Sequence, residues 1–183
     1  MHMRTVLSLG IAAIATALAA SLTGCSQAPP PVVGPQPTAM PVPDAPSPKA
    51  ELVCQPEAQQ EIQDLIGVAP TKVGPIQYAN RTSTCRYDYA NGSFSLVVQD
   101  LGNDLVTTET YEGLAKKLGK VDAITLPDGD AFSTKDGSVV LRRDFTVMLV
   151  DVTQLPATFG NPPSTRADAA RLIMKAVLNC WVE

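Results

Sequence analysis

Apolar residues recur with the spacing of one helix face in three segments of the chain. The three stripes are Ala58, Ile62, Leu65 and Ile66; Tyr111, Leu114, Ala115 and Leu118; and Ala169, Leu172, Ile173, Ala176 and Cys180. The first helix is predicted to run from Pro56 to Gly67, and the second from a cap at Thr107 or Thr108 to Gly119. The third is predicted to begin at Ser164 or Thr165, with Asp168 completing a capping box. Each helix has one apolar face, so each is expected to pack against another element.

Alternation of apolar and polar residues predicts strands between these helices. The segments are residues 85–89, 94–98, 131–134 and 139–141, with weaker strands near 74–80 and 121–126. The turn signals Asn91-Gly92 and Asp136-Gly137 predict two hairpins. The apolar run 145–152 follows a short turn at Asp144 and is predicted to be a central strand buried on both faces.

The order of these elements predicts an α+β fold. Runs of strands lie between helices, a pattern typical of helices packed against an antiparallel sheet. Residues 51–183 are expected to form this one domain, with about three helices on the sheet, because a chain of this length buries roughly two-thirds of its unfolded surface.

The first 24 residues have the features of a secretory signal peptide. Arg4 supplies the positive charge, residues 6–20 are apolar, and Leu22-Thr23-Gly24-Cys25 ends the segment with small residues. The alternative is a transmembrane helix. The apolar run is shorter than the roughly 20 residues that a span requires, and prolines follow it, so the signal peptide is favoured.

The tetrad LTGC resembles the lipobox of bacterial lipoproteins. In that family a diacylglyceryl group is attached to the cysteine thiol, the chain is cleaved before the cysteine, and the new amino group is acylated. The resemblance therefore implies that Cys25 is the lipidated first residue of the mature chain. It also implies membrane attachment through the lipid anchor, on the outer face of the cell membrane.

Residues 25–50 are predicted to be a lipidated cysteine followed by a disordered tether. Residues 26–50 contain nine prolines, no aromatic residue, and only the charges of Asp44 and Lys49. Such a segment cannot bury a core and favours extended polyproline conformations, so it is interpreted as a spacer. A ligand for an aromatic groove is the other interpretation of a proline-rich segment.

The charged residues exclude several classes of function. The full chain has a formal net charge of -4, so no nucleic-acid partner is predicted. The only histidine is His2, in the signal peptide, so the mature chain has no histidine for nucleophilic catalysis or metal binding. The acidic stretch 128–136 lacks the order of an EF-hand loop. No metal and no cofactor are therefore predicted.

Three cysteines remain in the domain, in an oxidising compartment, so one of them has no partner within the chain. A Cys54–Cys85 disulfide is favoured and would add roughly 3 to 4 kcal/mol through loop closure. A Cys54–Cys180 disulfide is the alternative.

The chain resembles the small secreted lipoproteins of mycobacteria and related actinobacteria. The resemblance rests on LTGC, the proline-rich spacer, and the segments "CRYDYANGSFSLVV", "DGDAFSTKDGSVVLRRDFTVMLVDV" and "RADAARLIMKAVLNCW". The functions of those families are mostly unknown, so the resemblance implies an envelope lipoprotein and assigns no catalytic residue.

The expected function is that of a non-catalytic binding or adaptor module in the cell envelope. Its ligand would be an envelope protein, a wall polymer or an apolar molecule. The alternatives are a histidine-free, carboxylate-based hydrolase of wall sugars and a carrier of an apolar ligand. The binding surface is expected in the loop 154–163, with Leu155 and Phe159 as contact residues. The competing interpretation is that Phe159 fills the edge of the core.

Overall fold

The three predicted helices are present, together with a short fourth one, in a computed structural model that describes residues 44–126 and 129–181. In the described residues the helices are α1 (Pro48–Leu52), α2 (Pro56–Ile66), α3 (Asp104–Leu118) and α4 (Arg166–Cys180). The strands are β1 (Lys72–Val73), β2 (Gln77–Ala79), β3 (Thr82–Tyr89), β4 (Gly92–Asp100), β5 (Lys120–Leu126), β6 (Gly129–Thr134), β7 (Val139–Arg143), β8 (Thr146–Asp151), β9 (Thr158–Phe159) and β10 (Ser164–Thr165). The predicted signal peptide, Cys25 and the tether up to residue 43 lie outside the described residues.

Local sequence explains the ends of α2 and α4. Pro56 occupies the first turn of α2, and Gly67 ends it with a φ of 69°, a left-handed conformation that favours glycine. At the start of α4, the Thr165 hydroxyl accepts a hydrogen bond of 3.1 Å from the backbone N–H of Asp168. The predicted capping role of Thr165 is therefore confirmed.

The predicted cap of α3 is wrong. The helix begins at Asp104, because the Asn103 side chain accepts a hydrogen bond of 2.9 Å from the N–H of Val106. Thr107 is buried inside the first turn, where its hydroxyl donates to the Asn103 carbonyl oxygen at 2.6 Å. A threonine that bonds back to the preceding turn was mistaken for a cap.

Helix α1 was not predicted, and it places residues 48–50 in the folded domain rather than in a disordered tether. Ser47 caps it by accepting from the N–H of Ala50, and Ala50 is fully buried. The indole N–H of Trp181 donates to the Lys49 carbonyl oxygen at 3.1 Å. The boundary expected at residue 51 is therefore a few residues too late.

The described residues form one α+β domain around an antiparallel sheet, as predicted. Its strand order is β1-β3-β4-β8-β7-β6-β5, and β2 also pairs with β3. Both predicted hairpins form, β3–β4 around Asn91 and β6–β7 around Asp136-Gly137. Strands β9 and β10 form a separate two-stranded ribbon before α4.

Strand β8 is central and buried on both faces, as predicted, but it begins one residue later than expected. It lies between β4 and β7. Phe145 belongs to the turn that precedes it and is 38% exposed. Asp144, with a φ of 52°, forms the other half of that two-residue turn.

The two faces of the sheet are covered unequally. On one face α1, α2 and α4 enclose the main core, which includes Ile62, Leu96 and Ile173. On the other face α3 packs against β6, β7 and β8 over a smaller core of Phe132, Val140 and Val147. Strands β3 and β4 form the other half of this second face. They lie beyond the strands that α3 covers.

Candidate functional site

One row of cross-strand pairs shows how far α3 covers its face of the sheet. Phe132, Val140, Leu149, Val97 and Thr84 are cross-strand partners in β6, β7, β8, β4 and β3, so they share one face of the sheet. The first three contribute to the core under α3. Val97 and Thr84 are only half-buried. The β3–β4 half of this face is therefore open to solvent.

Strand β3 presents polar side chains to this open half. Successive residues of a strand point to opposite faces, so Cys85 and Tyr87 face the main core, while Thr84, Arg86 and Asp88 face the open side. The polar positions repeat with the same period of two as the buried ones. The local alternation of the sequence thus produces one apolar and one polar side of the same strand.

Neighbouring strands extend the polar surface on both sides of β3. Ser95 of β4 is the partner of Arg86, Lys72 of β1 is the partner of Asp88, and Gln77 of β2 is the partner of Thr84. These six residues, with Gly74 and Pro75 between β1 and β2, line a groove of about 410 Å³. We call it the β3 groove.

The short strands β1 and β2 form the outer wall of the β3 groove. Both pair with β3, and the segment between them keeps contact with it, because the N–H of Gly74 donates to the Arg86 carbonyl oxygen at 2.8 Å. Pro75 has no N–H to donate and so cannot continue the ladder. The ladder along this edge is therefore interrupted between β1 and β2, beside the groove.

The β3 groove carries more positive than negative side chains. Arg86 Nε lies 2.7 Å from Asp88 Oδ1, in an ion pair whose side chains are 56% and 36% exposed. A pair so exposed adds little to stability, about 0 to 1 kcal/mol. Lys72 makes no ion pair with any described residue. Arg86 retains further N–H donors for a ligand.

The chemistry of the β3 groove is that of hydrogen bonding. Thr84, Ser95 and Gln77 supply hydroxyl and amide groups, and Asp88 is the one carboxylate in the lining. Glycoside hydrolysis commonly uses a pair of carboxylates that flank the scissile bond. In the described part of the chain, no group of three or more His, Cys, Asp or Glu residues has the arrangement of a metal site.

Leu155 and Phe159, the two predicted contact residues, are in the core and not on a binding surface. They are 4% and 3% exposed, respectively. The Phe159 ring meets the Tyr89 ring edge-on, with 4.9 Å between the centroids. The Arg166 guanidinium donates to the Leu155 carbonyl oxygen at 3.1 Å and so attaches the loop to the start of α4. The competing interpretation, in which Phe159 fills the edge of the core, agrees with this burial.

The favoured disulfide is confirmed. Cys54, just after α1, is bonded to Cys85 of β3, with a Cα–Cα distance of 5.6 Å. Cys180, the alternative partner, is half-buried near the end of α4 and is not part of the disulfide.

A second polar cluster connects α3 to the sheet. The Arg142 guanidinium donates to Asp130 and to Thr108, at 2.6 Å in each case, and lies 5.8 Å from the centroid of the Tyr111 ring. The pKa of Tyr111 is raised above its ordinary value, mainly by burial and further by the nearby Asp130, and Arg142 offsets part of this rise. This cluster joins α3 to β6 and β7.

No known protein family, curated protein or solved structure matches this chain. Within the described residues, none of the helices has both the length and the apolar character needed to cross a membrane.

Sequence reasoning missed the β3 groove, although its signal is visible in the sequence. Thr84, Arg86 and Asp88 alternate with the apolar residues of "TCRYDY". The same alternation occurs in any antiparallel strand with one solvated face. Only the position of α3 and the pairing of β1 and β2 with β3 distinguish a groove from an ordinary solvated strand.

Proposed function

We propose that the protein is a lipid-anchored lipoprotein of the cell envelope whose domain binds an acidic wall polymer through the β3 groove without catalysing a reaction. The anchor is supported by the apolar segment 6–20, by LTGC with Cys25, and by the proline-rich residues that follow. Acylation with two or three chains gives stable membrane attachment, whereas a single chain binds reversibly.

The polar β3 groove on the half of the sheet that α3 leaves open carries the binding proposal. Its lining has hydroxyl, amide and charged side chains and no large apolar residue. An apolar ligand would require a pocket lined mainly by apolar side chains. A polymer with many hydroxyl groups matches the donors and acceptors of Gln77, Thr84 and Ser95.

The charges favour an acidic polymer over a neutral one. Lys72 and Arg86 face the groove, and Asp88 is already paired with Arg86. A phosphate or carboxylate group on the polymer would accept charge-assisted hydrogen bonds from both cations. Each such bond contributes about 1.5–3 kcal/mol, so two of them account for at least a tenfold preference over a neutral polymer.

The binding test compares the full chain with a double variant, Lys72→Gln with Arg86→Gln. The probes are a phosphate-bearing wall polysaccharide and dextran, a neutral polymer of similar length. We expect the parent protein to bind the acidic polymer preferentially, and the double variant to lose at least about tenfold in affinity. The matched control, Arg171→Gln with Lys175→Gln, removes the same charge from the exposed side of α4 and should bind like the parent.

Two outcomes contradict the binding proposal. Equal binding of both polymers would exclude an acidic ligand. Equal loss in the groove variant and the α4 control would show a response to net charge alone. Release of reducing ends from the polymer during incubation would instead support the carboxylate-based hydrolase.

The anchor is tested separately by Cys25→Ser and membrane fractionation. We expect the variant to leave the membrane fraction, because the thiol that carries the diacylglyceryl group is gone. Cys180→Ser is the control and should fractionate like the parent. A Cys25→Ser protein that remains wholly with the membrane would show that the lipid is not the anchor.

A further inference from the structure

Exposed apolar side chains gather at one end of the domain. Leu105 is 69% exposed, Val106 37% and Phe145 38%. Among the described residues, Val121 is the other large apolar side chain with comparable exposure, at 53%. It follows Lys120, which pairs with Thr134 near the β6–β7 turn, at the opposite end of the sheet.

The three side chains lie on two connections that meet. One is the β4–α3 connection and first turn, residues 101–106; the other is the β7–β8 turn, residues 144–145. The N–H of Leu101 donates to the Phe145 carbonyl oxygen at 2.9 Å. Arg142 Nη1, just before the turn, lies 3.9 Å from Asp104 Oδ1. We call the surface formed by Leu105, Val106 and Phe145 the apolar end.

The chain that leads from Cys25 joins the domain at the apolar end. Lys49 of α1 lies beside the β7–β8 turn, with its Nζ 3.3 Å from Asp144 Oδ2. The bond from Trp181 to the Lys49 carbonyl oxygen fixes this position. Residues 26–43 separate Cys25 from the described chain, and at about 3.1 Å per extended residue they reach at most roughly 55 Å.

We propose that the apolar end faces the membrane and that Leu105, Val106 and Phe145 insert into the interfacial region of the outer leaflet. This inference rests on the lipid anchor of the proposed function. Once Cys25 is in the bilayer, insertion of the domain is an intramolecular step, so a small apolar surface is sufficient. Two of the nearby cations are paired, Lys49 with Asp144 and Arg142 with Asp130. Asp104, next to Leu105, is 80% exposed and lies 3.9 Å from Arg142, so its carboxylate would stay at the level of the polar headgroups.

This orientation leaves the β3 groove open to the wall. Strand β3 starts at Thr82, whose partner Gln99 lies near the end of β4 that leads into the apolar end. It ends at Tyr89, in the hairpin at the far end. Arg86 and Asp88 lie in the far half of the strand, so a membrane at the apolar end does not cover them.

The test uses the lipidated full-length mature chain, reconstituted into phosphatidylcholine vesicles with plain or brominated acyl chains. Phe145→Trp places an indole in the apolar end, and Val121→Trp is the matched control at the opposite end. Trp181 is the one native tryptophan, so the parent protein supplies the background emission. We expect the added indole of Phe145→Trp to show blue-shifted emission and quenching by brominated lipid, and that of Val121→Trp to show neither.

The outcomes separate this inference from the anchor on which it rests. Failure of the chain to float with the vesicles would contradict both the lipid anchor and the membrane-facing apolar end. Flotation with no bromine quenching at position 145, or with equal quenching at positions 121 and 145, would overturn the membrane-facing end and leave the anchor intact. Blue-shifted emission without bromine quenching, together with cross-linked dimers, would assign the apolar end to a second copy of the chain and also overturn the inference.

Discussion

The hydroxyl of Tyr87 donates a hydrogen bond of 2.5 Å to the backbone carbonyl oxygen of Val53. Val53 directly precedes Cys54, and Tyr87 lies two residues after Cys85, the disulfide partner of Cys54. Tyr87 is fully buried and stacks on Phe94, with 4.7 Å between ring centroids. The segment between α1 and α2 is thus attached to β3 by a covalent bond and a buried hydrogen bond side by side.

Tyr87→Phe should lower the free energy of unfolding by about 1–3 kcal/mol, because it leaves a buried carbonyl without its partner. Tyr89→Phe is the matched control: the buried Tyr89 hydroxyl has no hydrogen-bond partner among the described residues. Removing it should be neutral or slightly stabilising. Urea denaturation of both variants measures the difference, and equal losses would show that the Val53 bond contributes nothing specific.

Stability should fall as the pH rises above about 10. Burial raises the pKa of Tyr87 and of Tyr89, so the folded protein keeps phenol protons that the unfolded chain, with ordinary values near 10, releases. The unfolded state then binds fewer protons than the native state, and each tyrosine costs about 1.4 kcal/mol per pH unit. Below that pH both states are protonated and this contribution is constant.

Denaturation at pH 8, 10 and 11 measures this alkaline slope. The informative quantity is the difference between the parent and Tyr89→Phe, because the two proteins differ only in this one phenol. The variant should show the shallower slope. Identical slopes would mean that Tyr89 titrates equally in both states.

Replacing Cys54 and Cys85 by serine should reduce the unfolding free energy by about 3 to 4 kcal/mol, because the disulfide closes a loop across a sequence separation of 31. Cys180→Ser leaves the disulfide intact and should cost much less. Thermal unfolding with and without reductant provides a second measurement, since the reductant should destabilise the parent and leave the double variant unchanged.

Truncation of two phenylalanines of the domain should have very different effects on stability. Phe159→Ala should cost about 3–5 kcal/mol, because the ring is buried against Tyr89. Phe145→Ala removes a ring from the exposed turn and should change stability by less than about 0.5 kcal/mol. A melting temperature unaffected by Phe159→Ala would contradict the packing of the loop 154–163.

Arg142→Met should loosen α3. It removes the hydrogen bonds to Asp130 and Thr108 and keeps an apolar stem, so a loss of about 1.5–3 kcal/mol is expected. Amide hydrogen exchange in α3 should accelerate more than in α4. Arg171→Met, which breaks only the exposed pair with Asp168, is the control and should cost less than about 0.5 kcal/mol.

The sequence by itself determined the elements whose geometry depends on residues adjacent in the chain. Asn91-Gly92 and Asp136-Gly137 specify their hairpins through turn conformations, and Thr165 and Gly67 specify helix ends through local hydrogen bonds. The α+β class follows from the order of these elements. The disulfide was also predicted, because Cys54 and Cys85 are close enough along the chain for a short loop.

Only the tertiary structure decided which surfaces are covered. The pairing of β8 with β4 and the docking of α3 on β6, β7 and β8 join residues far apart in the chain, and these contacts leave the β3 groove open. Helix α1 has only five residues, too few to be stable alone, and a hydrogen bond from Trp181, 132 residues away, joins it to the domain. Leu155 and Phe159 were misassigned for the same reason. Whether an apolar side chain in a loop is exposed depends on what packs over it, and here Tyr89 and the main core enclose Phe159.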